Sequence, residues 1–246
     1  MEFIRDINHS KKIIILDGLT GTGKTMLTPI LSKLYSVQNP RFEYSLEYII
    51  LATYFKKIDL QTSSAILNLI VDWKNYDGYI SREINFRPSD LSSVFSSSRF
   101  LEYFFKLFNK DGSFIEDKIK NDSEHPCFAT HQIIPAFEVI KEAFKDRLIF
   151  IESVRHPLFL VAHWESYIEN HGTNSRDFTL WIKNKSKHVP WFVNHDVEKY
   201  NHFNSTEKSI VSICNLMSHV YKNIKSEILF IPFEHFVLDP NRYIDK

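Results

Sequence analysis

The sequence predicts a three-layer α/β domain with a mostly parallel central sheet flanked by helices. Three observations predict it. Short apolar runs of strand length alternate along the chain with amphipathic stretches of helix length, the pattern of strands joined by crossover helices. The runs at 12–17, 127–131, 147–152 and 227–232 are largely apolar at consecutive positions, as strands covered on both faces are. Between the first run and the first helix lies Gly18-Leu19-Thr20-Gly21-Thr22-Gly23-Lys24-Thr25, the G-x-x-x-x-G-K-T spacing of a phosphate-cradling loop in its strand-loop-helix context.

Each element follows in order. After the loop, 24–37 reads as a helix that Pro29 should bend or shorten, because proline lacks a backbone donor. Segments 44–58 and 61–76 read as helices with Leu, Ile and aromatic residues on one face, and Asp77-Gly78 marks a turn after them. From 79 to 98 the chain is rich in serine and lacks periodicity, which predicts a long loop with short helical pieces. Segments 101–108 and 133–144 read as helices, as does 157–169, where Pro157 suits a first turn. A last amphipathic helix, 206–225, leads into the final strand. Residues 1–246 thus read as a single P-loop domain with a helical and loop insertion at about 40–125. No internal repeat or low-complexity tract is present.

Composition narrows the function classes. Thirty basic residues balance 30 acidic ones, so no global field attracts nucleic acid or an anionic membrane. Cys127 and Cys214 are too few for a disulfide framework and match no metal-ligand spacing, so both are expected to be buried thiols in a reducing compartment. Residues 1–10 lack a signal-peptide core, and no stretch approaches the roughly 20 apolar residues of a membrane span. The expectation is a soluble, cytoplasmic protein. Most of the 21 phenylalanines should fill the core.

The loop is where chemistry is expected. Three of the 6 glycines in the chain, Gly18, Gly21 and Gly23, sit in it, where backbone freedom lets several N–H groups converge on an oxyanion at a helix N-terminus. Ligands of parallel sheets bind at the carboxyl ends of the strands. Candidate groups stand at those ends: the 18–25 loop, His131, and Arg155 between a strand end and the helix opening at Pro157. A guanidinium there can meet a phosphate bidentately, an ordinary ion pair with Glu152 being the alternative. The loop alone leaves open whether its ligand is a nucleoside triphosphate or another phosphoanhydride.

The ordered set Thr20-Gly21-Thr22-Gly23-Lys24-Thr25, Thr130-His131, Val154-Arg155-His156-Pro157 and Pro232-Phe233-Glu234-His235-Phe236 with Asp239-Pro240 resembles the sulfotransferases that use 3′-phosphoadenosine 5′-phosphosulfate. The resemblance runs from about residue 12 onward, little of it between 40 and 125. It implies that Thr20 to Thr25 hold the 5′-phosphosulfate, with Lys24 on the leaving oxygen, and that Arg155 takes the 3′-phosphate. His163 occupies the position of a family serine that assists at that phosphate. His131 corresponds to a catalytic histidine, a base that can take the acceptor's proton because imidazole titrates near neutrality. Glu124 and Glu138 are alternative bases, and Glu234 is expected to be structural.

The sequence departs from the family at several places. Gly21 stands where a basic residue is common, Ala129 where a lysine is often found, and Phe233 where a tyrosine is. Relatives usually continue past the equivalent of Lys246 into a segment touching the 3′-phosphate. The implied reaction moves a sulfuryl group to a hydroxyl or amine of a small molecule or sugar, with no metal because Lys24, Arg155 and loop amides neutralise the donor. For the acceptor, Arg82, Asn85 and Arg87 could meet hydroxyls or an anionic group, and Trp73, Tyr76, Trp181 and Trp191 could stack on a flat face, core packing being the alternative. Lys183, Lys185, Lys187 and His188 read as a solvated turn, with an edge of the ligand site as the alternative.

Lys24 also occupies the position used by nucleoside triphosphatases, which keeps a second function in view. In a P-loop kinase or ATPase, Thr25 would ligate magnesium and Glu152 would supply the second acidic contact. A nucleotide-binding module without turnover is the non-enzymatic alternative. No motif specifies the acceptor or an oligomeric state.

Overall fold

The computed structural model describes residues 2–34, 36–121, 124–175, 177–184, 187–193, 197–223 and 227–244. Strand β1 (Ile13–Gly18) leads through the glycine loop into α1 (Lys24–Leu31). Edge strand β2 (Arg41–Phe42) precedes α2 (Tyr44–Tyr54) and α3 (Leu60–Tyr79). After the 80–99 loop come α4 (Phe100–Lys106), α5 (Ser113–Asn121) and β3 (Cys127–Ala129). Then follow α6 (Phe137–Phe144), β4 (Leu148–Val154), α7 (Pro157–Glu169) and an antiparallel hairpin of β5 (Trp181–Asn184) with β6 (Lys187–Pro190). The remaining elements are α8 (Val197–His202), α9 (Ser205–Asn223), β7 (Ile228–Pro232), α10 (Phe233–Leu238) and α11 (Asn241–Ile244).

The central sheet has the order β2-β3-β1-β4-β7, with every pairing parallel. Its middle strand explains the layers. Successive side chains of a strand point to opposite faces. Ile13 and Ile15 enter the larger core, against Phe128, Phe150 and Trp164, while Ile14 and Leu16 enter the smaller one with Leu27, Ile151 and Phe236. With both faces covered, no position of β1 can be polar without a partner, which is why the run is continuous rather than alternating. Each fully buried aliphatic side chain contributes about 1.5–3 kcal/mol of burial free energy.

Several expected boundaries move, for identifiable reasons. The first helix stops at Leu31 rather than 37: Pro29 sits inside its last turn, and the Ser32 hydroxyl donates to the Pro29 carbonyl. The expected turn at Asp77-Gly78 is absent, because α3 runs through it to Tyr79. Gly78 serves close packing instead, as a Cβ there would lie 2.5 Å from Gln38 Oε1. Pro135 divides the 133–144 segment into a 3-10 turn at Ile134–Ala136 followed by α6. Of the 79–98 segment, Tyr79 ends α3 and the rest is irregular apart from one turn of 3-10 helix, Val94–Ser96. The basic run expected as a solvated turn lies in the hairpin, where Lys183 pairs with His188; Lys185 is outside the described residues. Cys127 is buried, and burial pushes its thiol up to about 12, but Cys214 is exposed on α9, contrary to expectation. Among the described residues no helix is long and apolar enough to cross a membrane.

Candidate active site

All five sheet strands run the same way, so their carboxyl ends open onto one side of the sheet. A cleft of about 600 Å³ lies there. It is bordered by the loop after β1, by His131 two residues beyond β3, by Arg155 directly after β4, and by Phe233 directly after β7.

The loop is held from beneath. Gly21 and Gly23 take φ of 89° and 91°, the left-handed region that glycine enters without strain. A Cβ would lie 2.7 Å from the His163 ring at Gly21 and 2.4 Å from the Phe233 ring at Gly23, so both glycines also serve close approach. Thr22 is turned inward: its hydroxyl donates to the Leu19 carbonyl, and its own carbonyl accepts from the Ser153 hydroxyl on β4. Its side chain braces the loop and does not line the cleft, which corrects the expected donor contact. Thr20, Gly21, Gly23, Lys24 and Thr25 do line it. In the first turn of α1 the Met26 N–H donates to the Gly23 carbonyl at 2.9 Å, while the N–H groups of Lys24 and Thr25 precede the helix's own hydrogen-bond ladder.

Lys24 is buried, with Nζ 2.6 Å from the Gly18 carbonyl and 3.1 Å from that of Leu19. Behind it, Asp17 on β1 stands in register with Glu152 on β4, and both are fully buried. Asp17 is anchored by the Thr130 hydroxyl at 3.0 Å and the Ile134 N–H at 3.0 Å. Burial raises both carboxyls above their ordinary range, Glu152 further because Asp17 adjoins it, and burial lowers Lys24 against the pull of the two acids. Glu152 does not reach the cleft and does not pair with Arg155.

Arg155 joins the loop directly. One guanidinium nitrogen donates to the Gly21 carbonyl at 3.0 Å, and the group lies 4.7 Å over the Phe233 ring. Its Nε is buried and makes no hydrogen bond among the described residues, with Glu234 at 3.9 Å. Glu234 accepts the His156 N–H at 3.1 Å, the structural position expected of it. His163, on α7, lies against Gly21 at the same end of the cleft, and the neighbouring Trp164 donates its indole N–H to the Thr20 carbonyl at 2.9 Å.

The rest of the cleft wall is built largely from aromatic side chains. His131 stacks on Phe42 at 5.0 Å and on Tyr44 at 5.7 Å, with interplanar angles of 11° and 10°. Its Nδ1 is 2.9 Å from Oε1 of Glu47, a residue of α2 that sequence reasoning missed. Burial, then the nearby Lys24, push the imidazole down to about 3, while burial pushes the Glu47 carboxyl up to about 8. Tyr48, Tyr167, Phe178 and Trp191 complete this wall.

Other expected residues lie elsewhere. Arg82 pairs with Asp77 and Asp111, and Arg87 with Asp90; neither borders the cleft, because the 80–99 loop packs against α3 and α4 rather than over the sheet. Trp73 and Tyr76 on α3 and Trp181 on β5 are also outside it, leaving Trp191 alone of the four. Glu124 is engaged by Arg99 and Lys106, and Glu138 is exposed on α6, so neither can serve this cleft. The region 40–125 nevertheless contributes β2 and the whole α2 wall, which no motif announced.

No family model and no curated protein matches the chain. Among solved structures it is similar to the "Sulfotransferase Domain from the Curacin Biosynthetic Pathway", at 10% identity and a TM-score of 0.42 over 95% of this chain and 71% of that one. Identity and TM-score at this level carry no residue role across.

Proposed function

We propose that the protein transfers a sulfuryl group from 3′-phosphoadenosine 5′-phosphosulfate to a hydroxyl, or an amine, of an acceptor with a flat apolar body. The observation that carries this reading is the meeting of three groups in one cleft: the glycine loop, the Arg155 guanidinium bonded to that loop's carbonyl, and His131 at the aromatic end. The Arg155 guanidinium borders the cleft beside the loop carbonyl it is bonded to, a position that fits a second phosphate next to the first.

The donor would supply an activated sulfur and a phosphate leaving group. Thr20, Gly21, Gly23, Lys24 and Thr25 would hold its 5′ end, Arg155 and His163 its 3′-phosphate. The acceptor oxygen's electron pair forms the new S–O bond, its proton passes to Nε2 of His131, and the S–O bond to phosphate breaks with its pair leaving on that phosphate. Lys24 stabilises that departing charge. Burial keeps the imidazole neutral but, at about 3, a weaker base than an ordinary histidine, so its competence rests on the partner of its Nδ1, Glu47.

An ATP-dependent reading needs an acid beside Thr25. Glu152 is the residue the sequence offered, and its full burial with a raised pKa disfavours it as a magnesium contact. Thermal-shift titration of the full chain with 3′-phosphoadenosine 5′-phosphate, against ADP with magnesium, tests the choice. A ligand at 100 times its Kd stabilises by about 2.7 kcal/mol. The expected result is a larger shift with the bisphosphate; a larger shift with ADP and magnesium overturns the reading.

A further inference from the structure

We infer that Glu47 is a positioning residue for His131, fixing the imidazole so that a bare Nε2 is presented to the acceptor. The chemical part of this inference rests on the function proposed above; the geometric part does not. Glu47 sits in the first turn of α2, buried, with Oε1 at 2.9 Å from Nδ1. Phe42 and Tyr44 stack on the same ring, so carboxylate and aromatic faces together leave it one orientation. Nε2, on the other side of the ring, makes no hydrogen bond among the described residues, and His131 borders the cleft.

A neutral imidazole carries one proton, and its partner decides where. An ionised carboxylate only accepts, so it holds the proton on Nδ1 and leaves Nε2 a lone pair. A protonated carboxyl can donate to Nδ1, and the proton then resides on Nε2, where the ring can no longer act as a base. Glu47 therefore sets whether His131 is competent. The charged groups facing the pair are Lys24 of α1, Asp17 of β1 and Glu43 before α2, with the phenols of Tyr48 and Tyr167 close to Glu47. Burial dominates over all of them in raising the carboxyl, which places its ionisation near pH 8. The competent tautomer should thus gain population as the pH rises through that value.

The decisive measurement is nitrogen-15 NMR of His131 in the full chain from pH 6 to pH 10, for the wild type and for E47Q. The expected wild-type result is a bare Nε2 that accumulates toward pH 9; in E47Q the amide can donate to Nδ1, and Nε2 stays protonated throughout. A wild-type ring protonated on Nε2 across the range, or a tautomer unchanged by E47Q, overturns the inference. Should E47Q fail to fold, the wild-type titration alone decides. Kinetics then separate this inference from the proposed function. E47Q should lower kcat by about 10²-fold or more with the donor KM unchanged, lose the alkaline rise, and be partly rescued in E47D. Loss of donor binding in the wild type sinks the proposed function and leaves the NMR result standing. An E47Q enzyme with wild-type kcat and pH profile sinks Glu47 and leaves the donor assignment intact.

Discussion

The two ends of the cleft are built by different means. The phosphate end is made mostly of backbone: consecutive residues of one loop, two left-handed glycines, and an arginine bonded to a loop carbonyl. The aromatic end is made of side chains from β2, α2, α7 and the segments on either side of the hairpin, gathered around one histidine. The charged lining also comes from different elements, Lys24 and Arg155 from the loop and the end of β4, Glu47 and Asp177 from α2 and the segment before the hairpin, with Lys24 close enough to act on Glu47 and His131. The contrast teaches that the groups proposed to bind the donor and the group proposed to remove the proton are supplied by separate elements. Damage to one should leave the other measurable.

The sharpest break comes from H131A. Loss of a general base costs about 10²- to 10⁴-fold in turnover, whereas binding of 3′-phosphoadenosine 5′-phosphate, read by calorimetry, should stay within about twofold. R155A tests the opposite end. Removing a charge-assisted contact worth about 1.5–3 kcal/mol should weaken the bisphosphate roughly 10- to 100-fold while ADP binding changes little. Equal losses for both ligands would show that Arg155 does not read the 3′ position. Y44A removes one of the rings stacked on His131, and an aromatic pair worth about 0.5–1.5 kcal/mol predicts a kcat loss of roughly two- to tenfold with donor affinity intact.

A smaller effect should appear in stability. Glu47 has its folded pKa raised, to about 8 from 4.5, so its contribution is complete below pH 4.5 and is lost as the pH rises through 8. His131 has its folded pKa lowered, to about 3 from 6.5, so its contribution is complete above pH 6.5 and is lost on acidification toward 3. Urea unfolding at pH 5 and pH 9 should show E47Q gaining on the wild type at the higher pH. No such gain would place the carboxyl's ionisation elsewhere. Smallest of all, R82A and R87A should leave turnover unchanged, since Arg82 pairs with the buried Asp77 and the exposed Asp111, and Arg87 with Asp90, all away from the cleft. A marked loss in either would extend the acceptor end beyond the wall described.

Much of the sheet was legible because its strands are covered on both faces, and a continuous apolar run is the direct imprint of that covering. Helix ends were less so. Asp77-Gly78 has the composition of a turn, yet what it serves is the approach of Gln38, a contact from a distant segment. β2 spans Arg41–Phe42 alone, too short to leave a period. Arg82 and Arg87 have the chemistry of a ligand site, but Asp77, Asp111 and Asp90 claim them in space. Thr22 belongs to the loop motif, yet its hydroxyl is consumed in bracing that loop.

The sequence by itself determined the glycine loop: its turn is made by a few adjacent residues, so its spacing is visible in the chain, although Arg155 and Ser153, which bond to it, come from the end of β4, distant in sequence. Only the tertiary structure decided the aromatic end. Glu47 and His131 are 84 positions apart and meet because α2 packs beside the end of β3. A carboxylate on a helix carries no mark of the ring it will touch, because that choice is made by packing and not by any neighbour in sequence.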